Sequence, residues 1–146
     1  MPNNGGVMTM NERSDELEYA IDPEILKRPG RDFSFIMWEY LCTAARVALD
    51  GDRNQLSTMS FLKIRQLVIR SCANDGEYIS PQFPVKEIVF RLLMIAPGTW
   101  VPERLLHVAL SDLLITSPWP RHIGQGSLRR LLSRAQIDGI ISRPSP

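Results

Sequence analysis

Arg129, Arg130 and Arg134 lie close together near the end of the chain, with Ser127 before them and Ser133 among them. Leu128, Leu131, Leu132 and Ala135 recur in the same stretch at i, i+3, i+4 and i+7. At about 100° per residue, a helix turns those four inward together and leaves Arg129, Arg130, Ser133 and Arg134 on its outer face. A guanidinium fork there can bond a guanine edge bidentately or clamp a phosphate. Ser127 follows Gly124 and Gly126. As the expected N-cap of this helix, it can join the free backbone amides in holding a phosphate oxygen at the positive end of the helix dipole.

Other chemistries find little in the sequence. The two histidines, His107 and His122, have no cysteine or paired acid at ligand spacing, so no metal site or other cofactor is expected. There is no GxSxG elbow, no HExxH helix and no histidine close in sequence to Cys42 or Cys72. Gly124-Gln125-Gly126-Ser127 looks like a piece of a nucleotide-phosphate loop, but no lysine follows it and no buried strand precedes it. A non-catalytic binding protein is the expectation, with no catalytic residue. Cys42 and Cys72 sit inside apolar helical patterns and read as buried thiols of a reducing, cytoplasmic compartment. No apolar run approaches the roughly 20 residues that cross a bilayer, and no membrane partner is expected.

Charge divides the chain. Residues 1–83 carry 9 basic against 12 acidic side chains, a balance of −3, and residues 84–146 carry 8 against 4, a balance of +4. Halves of opposite sign suggest a separate partner for each. Residues 1–20, rich in Asn, Gly, Met and acids, read as a flexible arm. Residues 21–80 read as a helical N-terminal half. Asp22-Pro23-Glu24 starts a short helix, Asp32 or Ser34 caps an apolar segment running to Leu49, and Ser57 or Ser60 opens an amphipathic helix through Ile64, Leu67 and Val68. Phe35, Ile36, Trp38 and Tyr40 exceed what such a half readily covers, so a homodimer or protein-partner contact is expected there. After Pro81 and Pro84, residues 84–146 continue with a helix through Ile88 and Leu92, an extended Thr99-Trp100, and a helix beginning at Pro102. The arginine helix follows, then a short strand through Ile137, Ile140 and Ile141 entered by Asp138-Gly139.

The run from Ser127 to Arg143, a basic helix followed by Gly139-Ile140-Ile141-Ser142-Arg143, resembles the recognition helix and first wing strand of bacterial winged helix-turn-helix regulators. The resemblance extends over about residues 84–143, in its earlier part by pattern alone. It implies a mainly α fold, with a helical N-terminal half and a winged-helix-like C-terminal half. It also implies duplex DNA as partner, bound by Arg121, Gln125, Ser127, Arg129, Arg130, Ser133, Arg134 and Arg143 in sequence- or structure-directed transcription regulation. Two departures stand out. The segment from Ile115 to Gly126 is longer than the three- or four-residue turn of a compact helix-turn-helix, and the sequence holds no returning wing strand after Arg143, so the wing is short or incomplete. The alternative is a non-catalytic adaptor, or a subunit of a larger assembly, whose winged-helix half docks on protein.

Overall fold

The computed structural model describes residues 15–146. Caps and apolar spacing produce most of its helices. Asp22 accepts a hydrogen bond from the Glu24 amide, and Pro23 opens α1 (Pro23–Leu26). Asp32 caps α2 (Phe33–Glu39), and Cys42 precedes α3 (Thr43–Ala48). A 3-10 turn over Arg53–Thr58 leads to Ser60, whose hydroxyl accepts from the Lys63 amide and caps α4 (Phe61–Cys72). Next come α5 (Val85–Ile95), α6 (Glu103–Leu114) and α7 (Gln125–Leu132). Pro84 and Pro102 stand immediately before α5 and α6, where the missing N–H and restricted φ of proline suit a helix start.

Helices predominate, and a small antiparallel sheet completes a mixed α/β architecture. Its strands are β1 (Leu17–Ile21), β2 (Val101–Pro102) and β3 (Ile140–Pro144), in the order β2-β1-β3. The central strand comes from the stretch read as a flexible arm. Leu17 pairs with Pro144 and Ile21 with Ile140, while Tyr19 pairs with Val101. Hydrogen bonding on both edges and burial of Tyr19, Ala20 and Ile21 account for its order. Residues 1–14 of the arm lie outside the described residues.

One core joins the two expected halves: Leu41, Ala45, Ile64 and Val68 belong to the same buried cluster as Ile88, Leu93, Leu106 and Leu128. Arg65 of α4 stitches them further, donating to the carbonyls of Leu93 (3.1 Å) and Ala96 (2.6 Å) at the end of α5. Those carbonyls have no partner within the helix, so the guanidinium serves as a C-terminal cap from another element.

Three further expectations are corrected. The apolar segment ending at Leu49 is two helices, α2 and α3; between them the Tyr40 carbonyl turns out to accept the Tyr78 hydroxyl at 2.8 Å. Its aromatic excess is taken up inside the chain, since Ile36, Trp38 and Tyr40 pack against the core and Tyr40 stacks on Phe90, which leaves Phe35 exposed. Cys42 and Cys72 are not thiols but a disulfide, with an S–S distance of 2.20 Å and Cα atoms 5.7 Å apart. The α2–α3 break carries Cys42 to the last turn of α4, and a bonded pair gives no sign of a reducing compartment. Among the described residues no helix is long and apolar enough to cross a membrane.

Candidate nucleic-acid interface

Helix α7 begins one turn earlier than its serine suggests: Gly124 is the N-cap, and Ser127 lies inside the first turn. Of the four residues expected inward, Leu128, Leu132 and Ala135 are buried and Leu131 is half-buried. Around the rest of the circumference the polar residues separate into two groups. Taking about 100° per residue, Ser127, Arg130 and Ser133 fall within one outward sector, which the exposed Arg134 continues in the turn just past the helix end. Gln125 and Arg129 lie beside Leu132 at the rim of the buried stripe.

That rim position decides the fate of Arg129. Glu103, the first residue of α6, is only 1% exposed. Its carboxylate accepts from Arg129 Nε at 3.0 Å and Nη2 at 3.0 Å, from the Tyr19 hydroxyl at 2.6 Å and from Gln125 Nε2 at 3.2 Å. Arg129 Nη2 also donates to the Asp15 carbonyl at 2.7 Å. A carboxylate at the start of a helix is favoured by the dipole, and the pairing of Tyr19 with Val101 brings the tyrosine beside it. Burial by itself would raise the Glu103 carboxyl, but the hydrogen bonds from Arg129, Tyr19 and Gln125 outweigh it and hold the group below the usual carboxylate range. The Tyr19 hydroxyl is pushed up, first by burial and then by Glu103. The hydrogen bond to Glu103 raises Arg129. Arg129 and Gln125, both expected to contact DNA, thus complete a polar lock joining β1, α6 and α7.

Two more expected contacts serve the fold. Arg121 donates to the carbonyls of Pro81 and Phe83, tying the long α6–α7 connection to the linker before α5. His107 Nε2 and the Ile123 carbonyl, 2.8 Å apart, hold the same connection from α6. Arg143 bonds Glu18 Oε1 at 3.0 Å and lies 4.2 Å from the centre of the Trp100 ring, bracing the sheet.

The outward sector is less committed. Arg130 reaches Ser127 Oγ at 3.0 Å, and Ser133 Oγ donates to the Arg130 carbonyl at 2.7 Å. Both are local bonds on an exposed surface that a ligand can replace. Arg134 is exposed and keeps no side-chain partner among the described residues. Glu103 and Tyr19 are the site residues that sequence reasoning missed. The available signal was an acid directly after the helix-opening Pro102 in a basic half. Comparison of the chain with family models, curated proteins and solved structures finds no match.

Proposed function

We propose that this protein is a non-catalytic, winged-helix-like DNA-binding module that meets duplex DNA through the outward sector of α7. The observation that carries the reading is that Ser127, Arg130, Ser133 and Arg134 share one exposed face, opposite the buried Leu128 and Leu132. The +4 balance of residues 84–146 supports it. So does the order of α5, β2, α6, α7 and β3, which follows a winged helix. On this reading β1, antiparallel to β3, occupies the place of a wing's returning strand. Arg130 and Arg134 are the groove or phosphate contacts, Ser127 and Ser133 flank them, and Arg129 positions the helix.

A second reading, a protein-docking adaptor, is favoured by the engagement of Arg121, Gln125, Arg129 and Arg143 within the chain. A titration with mixed duplex DNA at several salt concentrations separates the two. DNA binding is expected to weaken with salt, and if both arginines meet phosphates, Arg130→Ala with Arg134→Ala flattens the log–log slope by about 2, at about 0.9 per phosphate. Stability is expected to stay within about 0.5 kcal/mol, as for surface sites. No binding at roughly 50 mM salt, where phosphate contacts are strong, or equal binding by the double variant, rejects the DNA reading in favour of the adaptor.

A further inference from the structure

The side of α6 turned away from the core carries several exposed apolar residues. Leu105 is 52% exposed, Val108 52% and Ile115, just past the helix end, 66%. At 100° per residue these three lie in one stripe, with the exposed Ala109 beside it. Two exposed charges of opposite sign bracket Val108 along the helix: Arg104 four residues before it and Asp112 four residues after it. Arg104 approaches Glu16 only at 4.0 Å and its side chain remains 68% exposed.

We infer that this face pairs with the same face of a second copy, α6 against α6 in antiparallel orientation, with the two-fold axis passing beside Val108. The charge pattern selects that occupant. A two-fold contact is self-complementary, each residue meeting the image of its counterpart. Residues 104 and 112 stand about 6 Å on either side of Val108 along the helix. The operation therefore brings each Arg104 level with the second copy's Asp112, twice over, while Val108 meets its own image. The small Ala109 at the edge lets the backbones approach. A parallel pairing would set Arg104 against Arg104 and Asp112 against Asp112. The stripe lies on a different helix from the DNA-facing sector, and the inference stands whether or not that reading does.

The test is the mass of the full-length chain in solution by light scattering over a range of concentrations. A dimer is expected, and Val108→Arg, a change at an exposed position, is expected to give a folded monomer with an unchanged circular-dichroism spectrum, its melting temperature lower than the parent's by the lost association and independent of concentration. Arg104→Asp and Asp112→Arg each set like charges across the axis and are expected to be monomeric alone. Mixed one to one, they are expected to form a heterodimer, because every cross-axis pair is then opposite in sign; a misfolded variant cannot produce that recovery. A parent that is monomeric throughout overturns the inference. So does a dimer that survives Val108→Arg, or a pair of charge variants that fails to recover on mixing. A dimer appearing only after removal of residues 1–14 assigns the stripe to that segment instead and likewise overturns it.

Discussion

Arg129→Ala is expected to destabilise the fold by about 2–4 kcal/mol, far more than an arginine on an exposed helix face would. Removing one member of a buried ion pair costs about 3–5 kcal/mol because the remaining charge is left uncompensated. Here the stranded charge is Glu103, at 1% exposure, and among the described residues only Tyr19 and Gln125 still bond it. Water reaches Arg129, whose side chain is 39% exposed, so the expected loss lies below that of a fully buried pair. Adding Glu103→Gln to Arg129→Ala removes the orphaned charge and is expected to recover part of the stability, a coupling that a double-mutant cycle reads directly.

The pH dependence has a definite sign. In the parent, the folded-state pKa of Glu103 is depressed, so its stabilisation is complete above the unfolded carboxylate pKa, near 4.3. It is lost as pH falls through the lower folded value. In Arg129→Ala burial is less opposed and raises the carboxyl, so the destabilisation is expected to shrink as pH falls from 7 toward 5. Denaturant titrations of the parent, both single variants and the double variant at those two values check it. A loss below about 0.5 kcal/mol, the ordinary surface effect, for Arg129→Ala would return Arg129 to the list of free DNA contacts.

Gly139→Ala is expected to cost about 2–5 kcal/mol, from two separable sources. Gly139 has φ +87°, where an L side chain costs about 1–2 kcal/mol. A Cβ at this position also meets Leu26 Cδ2 at 2.9 Å and Cγ at 3.0 Å. Leu26 is buried, so relief requires core movement of a kind that costs about 1–3 kcal/mol. The Gly139 carbonyl accepts the Asp22 amide at 2.8 Å, so displacement also disturbs the start of α1. Gly30 provides the control: φ is +85°, and among the described residues nothing lies within 4 Å of its Cβ position. Gly30→Ala should show the backbone cost alone. Equal denaturation midpoints for the two variants would show that the contact with Leu26 carries no weight.

Local spacing in the sequence determined a good deal. The start of α1 at Asp22-Pro23, a cap at Ser57 or Ser60 that falls on Ser60, the inward stripe of α7 and the Asp138-Gly139 entry into β3 were legible, although Ile137, expected in the strand, lies in a 3-10 turn before it. Each depends on residues a few positions apart, where the helical repeat and the φ preferences of proline and glycine act directly. Tertiary structure decided which polar residues remain available to a ligand. Arg129 and Arg130 are neighbours with the same chemistry, yet one lies at the rim where α6 presents Glu103 and the other does not. The central strand was hidden for the same reason. Leu17–Ile21 is a short run with few local signals, and it becomes a strand because Val101 and Ile140–Pro144 supply hydrogen bonds on both edges. The pairing of Cys42 with Cys72 likewise required the α2–α3 break and the end of α4 to meet. Helix propensity is written over neighbouring positions, whereas strand partners, buried ion pairs and disulfides join positions tens of residues apart that only the folded chain brings together.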